Sequence, residues 1–192
     1  MCREAEAPGP LGDIECLANT LDLEDAADEL DDLDGLARWL TAHGRHPDGV
    51  RTRQEFDLVR ELRGVVRELL AVNADGGDAA EALVRLDELA VATGVAVRFG
   101  PDGPVHRSAA VGVAGVIGDL IGVIAAAMAD GSWVRLKLCR DHGCRWAYYD
   151  RSRNRSGRWC SMEVCGNRNK ARSYRQKTGG GRVESGSMPG TQ

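Results

Sequence analysis

The chain has 192 residues, of which 43% are hydrophobic and 28% are charged, and its formal net charge is -4. This composition is typical of a globular protein and excludes an intrinsically disordered chain. The charge is unevenly distributed. Residues 135–182 contain 14 Lys and Arg but three acidic residues, whereas residues 1–134 contain 11 Arg and 25 acidic residues. This division indicates two modules, the basic one suited to a polyanion, unless the two segments neutralise each other within one fold.

Residues 1–10 are charged and lack a hydrophobic run, which favours a flexible leader over a signal peptide. Without an export signal, the cysteines are expected in a reducing cytoplasm, where paired cysteines favour a metal over a disulfide. Cys16 is expected to be a small buried side chain rather than a reactive thiol, since no histidine or second cysteine lies near it in sequence.

Apolar residues recur at helical spacing in four segments before residue 95. The first two helices are predicted at residues 11–23 and 24–43, the second with its aspartates on a solvated face and Gly44 at its end. The third helix begins at a capping box from Thr52 to Glu55, and the fourth begins at Asp78.

Residues 95–107 alternate Val95, Val97 and Phe99 with other residues before a Pro-Asp-Gly-Pro turn, which predicts a β-hairpin. Residues 109–129 contain one charge, Asp119, and are long enough to span a bilayer. That charge, the many Ala and Gly residues and the lack of an aromatic belt favour a buried helix instead, capped by Ser108. We therefore expect no membrane association.

Four cysteines form two pairs with equal spacing: Cys139-x4-Cys144, then 15 residues, then Cys160-x4-Cys165. Two such pairs supply the tetrahedral ligand set of one structural zinc ion and leave no open position for catalysis. His142 is an alternative ligand. The predicted order is strand, cysteine loop, strand, arginine-rich turn, cysteine pair and helix, with Trp146, Tyr149 and Trp159 as a small core.

Basic residues surround these cysteines, and arginine side chains suit phosphates and guanine edges. We expect nucleic-acid contacts from the arginine-rich turn and the final helix. The candidate residues are Arg151, Arg153, Asn154, Arg155, Arg158, Arg168, Lys170, Arg172 and Arg175.

The motif Cys165-Gly166-Asn167-Arg168 and the segment Arg158-Trp159-Cys160 resemble the CGNR zinc-finger family. The preceding residues resemble the ABATE domain of that family, notably at Cys16-Leu-Ala-Asn19-Thr20. The resemblance implies stress-induced transcription regulators with a DNA-binding zinc module, and it implies that the four cysteines are the zinc ligands.

The predicted fold class is α+β: a mainly helical N-terminal domain with a small β-hairpin, followed by a small treble-clef-like zinc module. The predicted boundaries are a flexible leader at 1–10, the ABATE-like domain at 11–130, the zinc finger at 131–178 and a disordered tail at 179–192.

The predicted function is a cytoplasmic DNA-binding transcription regulator that is not an enzyme, because no nucleophile motif or phosphate loop is present. RNA is an alternative partner. Another alternative is a small-molecule sensor, in which an effector binds the helical domain near Trp39, Arg60 and Arg63. A homodimer is compatible with each of these functions.

Overall fold

The computed structural model of the chain describes residues 6–44, 52–101 and 103–179, with side chains as far as residue 176. Residues 1–5 of the predicted leader and 180–192 of the predicted tail lie outside the described residues. The chain divides into two compact units, Met1–Cys160 and Ser161–Gln192.

The described residues of the first unit contain five α-helices. The longest, α3, begins at the predicted capping box, in which Thr52 Oγ1 accepts a hydrogen bond from the Glu55 amide and the Glu55 side chain accepts one from the Thr52 amide. The helices are α1 (Leu11–Asn19), α2 (Leu33–Ala42), α3 (Arg53–Asp75), α4 (Ala80–Ala92) and α5 (Gly112–Asp130).

Six short strands pair as three antiparallel hairpins in the described residues. The central hairpin is the one predicted from alternation, and it aligns Val97 with His106. The strands are β1 (Leu21–Asp22), β2 (Ala27–Asp28), β3 (Val95–Gly100), β4 (Gly103–Ser108), β5 (Leu136–Leu138) and β6 (Ala147–Tyr149). A mainly helical fold with small hairpins is therefore confirmed.

The prediction of one helix over residues 24–43 is wrong, because α2 begins only at Leu33. Asp22 and Asp28 instead accept hydrogen bonds from nearby backbone amides, including those of Glu24 and Leu30. Aspartate favours such local turns over a helix interior. The residues before α2 therefore form the β1–β2 hairpin, and Asp32 caps α2 by accepting from the Gly35 amide.

The Ala/Gly-rich helix α5 contacts α1, α3 and α4 and buries Ile117 and Ile124 completely. By length and composition it is the one helix in the described residues that could cross a membrane. Strand β4 crosses α5 at two glycines. A Cβ on Gly122 would lie 2.8 Å from the His106 carbonyl oxygen, and one on Gly118 would lie 2.5 Å from Ser108 Cβ. Because the two glycines have no side chain, β4 and α5 can pack in direct contact.

Ser108 does not cap α5 as predicted, because its hydroxyl donates to the Thr93 carbonyl oxygen and the helix begins after Val111. Cys16 is buried as expected.

The β5–β6 hairpin shares its core with the helices, since Leu136, Leu138 and Ala147 are buried in the same apolar cluster as the residues of α1, α3 and α5. Trp146, Tyr149 and Trp159, which are predicted to form a small core, are half-buried, and Tyr149 packs against the main apolar cluster. The β5–β6 hairpin is held in place by the apolar core that the helices form.

Two helical glycines, one tightly packed and one with open space beside it, give opposite predictions for the stability of the protein. Gly122→Ala is expected to lower the free energy of unfolding by about 1–3 kcal/mol, because its Cβ has no room beside the His106 carbonyl. In Gly64→Ala, in α3, the added Cβ would have no other atom within 4 Å. This substitution is expected to raise the free energy of unfolding by about 0.5–1 kcal/mol. Urea unfolding of the zinc-loaded proteins measures both. Equal effects of the two substitutions would contradict the close contact of β4 with α5.

Candidate metal centre and basic surface

The Sγ atoms of Cys139, Cys144, Cys160 and Cys165 all lie within 4.8 Å of one another. The Sγ atoms of Cys144 and Cys160 are 3.7 Å apart. Zn–S bonds of about 2.3 Å place the sulfurs of a tetrahedral site about 3.8 Å apart. Cys139, Cys144 and Cys165 are buried and Cys160 is half-buried. The four thiolates therefore fit one structural zinc ion.

The first cysteine pair lies in the turn between β5 and β6. Cys139 directly follows β5, and its amide donates to the Trp146 carbonyl oxygen, which extends the hairpin by one residue on each strand. The turn then closes at Asp141, whose carbonyl oxygen accepts from the amides of Cys144 and Arg145. Arg145 adopts a positive φ of 50°. The chain thus reverses within the x4 spacing and brings two sulfurs together.

The second pair lies around a π-helical turn, Met162–Gly166, which precedes α6 (Asn167–Gly179). Ser161 caps this turn by accepting a hydrogen bond from the Val164 amide. A Cβ on Gly166 would lie 2.5 Å from the Met162 sulfur, so a side chain at this position would displace the exposed Met162 side chain. The CGNR motif begins where this turn ends.

The four close sulfurs affect one another's ionisation. Hydrogen bonds from the thiols of Cys144 and Cys160, and from the backbone amides of Cys160 and Asp141, lower the pKa of Cys139. The contact with Cys139 raises the pKa of Cys144 and of Cys160. A divalent cation removes this mutual repulsion, because each thiolate then interacts with positive charge.

His142 is exposed and is not part of the cysteine cluster. The cluster therefore supplies four sulfur ligands without it. Four ligands complete the coordination of zinc, so the arrangement stabilises the fold and offers no position for a reacting water molecule.

Side chains from the helices hold the cysteine hairpin by its backbone. At the end of α1, Asn19 donates through Nδ2 to the Ala147 carbonyl oxygen at 2.9 Å and accepts from the Ala147 amide at 2.7 Å. In α3, Asn73 donates to the carbonyl oxygens of Trp133 and Leu136. Both strands of the hairpin are thereby fixed to different helices.

Two arginines of the cysteine hairpin contact the C-terminal end of α3. Arg140 donates to the Ala74 carbonyl oxygen, and both Arg140 and Arg145 form ion pairs with Asp75. These contacts place cationic groups at the carboxyl end of a helix, where they are favourable. Part of the basic charge predicted for the zinc module therefore serves the fold.

The predicted nucleic-acid contacts of the arginine-rich turn are exposed, but they differ in their surroundings. Arg151 donates to the Glu6 carbonyl oxygen, and the Arg158 guanidinium lies 5.5 Å from the Trp159 ring centroid. Arg153, Asn154 and Arg155 are exposed at the tip. In α6, Lys170, Arg172 and Arg175 are exposed and Arg168 is half-buried.

The region suggested for an effector is occupied by side chains of the protein itself. The Arg63 guanidinium donates to both carboxylate oxygens of Asp28, at 2.5 and 2.8 Å, and to Thr20. Burial raises the pKa of Asp28, but the hydrogen bonds from Arg63 and the Leu30 amide outweigh burial and lower it below its usual value. Trp39 is buried in the apolar core. The guanidinium of Arg63 is therefore paired with a carboxylate of its own chain.

Sequence reasoning missed the residues that hold the cysteine hairpin. Asn19 lies 128 residues from its partner Ala147, and no local pattern indicates such a contact. Lys137 contributes to the positive charge of the basic segment, yet it is 5% exposed. Its place in a strand, between Leu136 and Leu138, is the one local signal that it lies on a defined face.

A helical domain followed by a four-cysteine cluster, with one cysteine pair in a hairpin and the other around a helical turn, defines a zinc-finger protein with an N-terminal helical domain. Residues 135–178 match the family model of the CGNR zinc finger. Residues 16–131 match the ABATE model, which is described as "Putative stress-induced transcription regulator". No curated protein matches the sequence. The chain belongs to the ABATE family and carries a CGNR zinc finger, as the resemblance indicated.

The zinc site gives a direct prediction. Replacing Cys139 or Cys160 with Ser is expected to remove bound zinc, because three sulfurs and a hydroxyl bind zinc much more weakly than four thiolates. His142→Ala is the matched control and should retain one zinc per chain. Metal content after gel filtration measures both. Full zinc in the cysteine variants, or loss in the histidine variant, would contradict the ligand set.

The Asn19 contact gives a second prediction. Asn19→Ala leaves the Ala147 amide and carbonyl without partners in a buried place, so it is expected to lower the free energy of unfolding by about 2–4 kcal/mol. Asn154→Ala, at an exposed position, should change it by less than about 0.5 kcal/mol. Denaturant unfolding with zinc present measures the free energy of unfolding of both variants. Similar values for the two would contradict the stabilising role of the Asn19 hydrogen bonds to Ala147.

Proposed function

We propose that this protein is a DNA-binding transcription regulator whose zinc finger contacts the phosphate backbone through its arginine-rich turn and α6. The proposal goes beyond the family match, which supports transcription regulation and a zinc finger. The proposal places this regulator in the cytoplasm, and it gives the zinc ion a structural rather than a catalytic role, since a closed four-sulfur site leaves no position for a substrate at the metal.

The observation that carries the proposal is the clustering, in one turn, of exposed arginines that form none of the ion pairs in the described residues; in the helical part such arginines are scattered, as at Arg38 and Arg98. Arginines of the helical layer, including Arg53, Arg63 and Arg85, form ion pairs with carboxylates of the protein. None of the ion pairs in the described residues involves Arg153, Arg155 or Arg158. Exposed arginines without acidic partners suit an external polyanion.

The local charge of the turn favours phosphate. Asp150 is the one acidic residue between Cys144 and Cys160, and it is 3% exposed and bound to Lys137. The negative charge of Asp150 therefore lies in the interior of the protein. Asn154 and Arg168 are the residues of this set suited to base edges, whereas the other arginines suit phosphates and set orientation.

DNA binding is tested by fluorescence anisotropy with labelled duplex DNA between about 50 and 200 mM salt. The zinc-loaded protein is expected to bind with an affinity that falls steeply as salt rises. The variant Arg153→Ala/Arg155→Ala should bind more weakly, with a log–log salt slope smaller by about 1.8, because each phosphate contact contributes about 0.9.

Arg53→Ala is the control, because this arginine is exposed but paired with Asp57 within α3. It should leave both affinity and slope unchanged. Absence of binding at the lowest salt would refute the proposal. Tighter binding to structured RNA than to duplex DNA in direct competition would replace DNA by RNA as the partner.

A further inference from the structure

The arginine-rich turn has no apolar residue to hold it. Between Tyr149 and Trp159 the chain reads Asp-Arg-Ser-Arg-Asn-Arg-Ser-Gly-Arg. A polar segment of this length is ordinarily mobile, because it has no apolar surface to bury against the loss of chain entropy. Its backbone is nevertheless fixed by polar contacts from β5 and from the residues on either side of that strand.

Lys137 makes the central contact. Its Nζ donates to the Asp150 carboxylate at 2.7 Å, to the Arg155 carbonyl oxygen at 2.5 Å and to the Gly157 carbonyl oxygen at 3.5 Å. It thus uses its three donors on both ends of the turn. Since Lys137 is 5% exposed, its charge is not presented to an external anion.

Asp150 makes the complementary contacts through its carboxylate. Oδ1 accepts from the Ser152 amide at 3.0 Å, and Oδ2 accepts from the Gly157 amide at 2.8 Å. Burial raises the pKa of Asp150, but the hydrogen bonds from Lys137, Ser152 and Gly157 outweigh burial and lower it to about 2. A Cβ on Gly157 would lie 2.8 Å from this carboxyl group, so the turn closes tightly around it.

Two neighbouring residues hold the remaining backbone. The Arg135 guanidinium donates to the carbonyl oxygens of Asp150 and Ser152, both at 2.9 Å. The Arg140 amide donates to the Arg158 carbonyl oxygen at 3.0 Å. Together with Lys137, these groups bind backbone atoms of the turn and leave the side chains of Arg153 and Arg155 outside.

We propose that Lys137 and Asp150 are positioning residues, which hold the arginine-rich turn in the shape that binds a nucleic-acid backbone. The inference rests on the proposed function. A buried ion pair costs desolvation energy and is weak evidence for stability by itself. Here it fixes a segment that apolar packing cannot fix. A turn that is already ordered loses less entropy on binding, so its arginines bind phosphates more tightly.

The first test needs no nucleic acid. The double variant Lys137→Met/Asp150→Leu removes the network without leaving a single buried charge. Trypsin cleavage after Arg153 and Arg155 should be slow in the zinc-loaded protein and at least about tenfold faster in the variant, because cleavage requires local opening. Equal zinc content and far-UV circular dichroism show that the variant is folded. Equal cleavage rates would overturn the proposal.

Gly157→Ala provides a second variant if the double variant does not fold. Its added methyl group meets the Asp150 carboxyl, disturbs the turn and changes no charge. It should likewise increase trypsin cleavage about tenfold. Wild-type protein that is cleaved as fast as either variant would show that the turn is mobile, and the inference would then be wrong whether or not DNA binds.

The second test separates positioning from contact. Lys137→Met/Asp150→Leu and Gly157→Ala should weaken DNA binding about tenfold while leaving the log–log salt slope as in the wild type. Arg153→Ala should reduce the slope by about 0.9, as expected for one lost phosphate contact. A slope reduced in the Lys137 variant by the same amount would make Lys137 a contact residue and overturn the proposal. If wild-type protein binds no DNA, the proposed function fails while the trypsin result still decides whether the pair orders the turn.

Discussion

The hairpin that carries the first cysteine pair depends on the helices beneath it. Two three-residue strands are too short to be stable alone, and Leu136, Leu138 and Ala147 bury their side chains in the core that the helices form. Asn19 and Asn73 add hydrogen bonds to the hairpin backbone. Zinc binding and helical packing therefore stabilise the same strands, and each is expected to strengthen the other.

The division of charge seen in the sequence has two structural meanings. Some basic residues near the cysteines, such as Arg140 and Arg145, bind the end of α3 through Asp75. Others, such as Arg153 and Arg155, are directed to solvent. A segment's net charge therefore overstates the charge available to a partner. The fraction that faces outwards is decided by residues such as Asp75 and Asp150.

Features with a local cause could be predicted from the sequence. The Cys-x4-Cys spacing indicated the metal cluster, the capping box fixed the start of α3, and alternation located the β3–β4 hairpin. The β1–β2 hairpin was missed because Asp22 and Asp28 bind nearby amides within an otherwise helical apolar pattern. Asn19 and Lys137 were missed because their roles depend on contacts across the fold, which residue type and spacing do not encode.

The arginine-rich turn separates the residues that shape it from those that it displays. Lys137 and Arg135 donate hydrogen bonds to backbone carbonyl oxygens of the turn. Because every amino acid has such an oxygen, the backbone conformation of the turn does not depend on which side chains occupy positions 153 and 154. Evolution can therefore exchange these outward side chains while the supporting loop keeps its form. In the proposed function, replacements at these positions would change the target that is preferred without a change of fold.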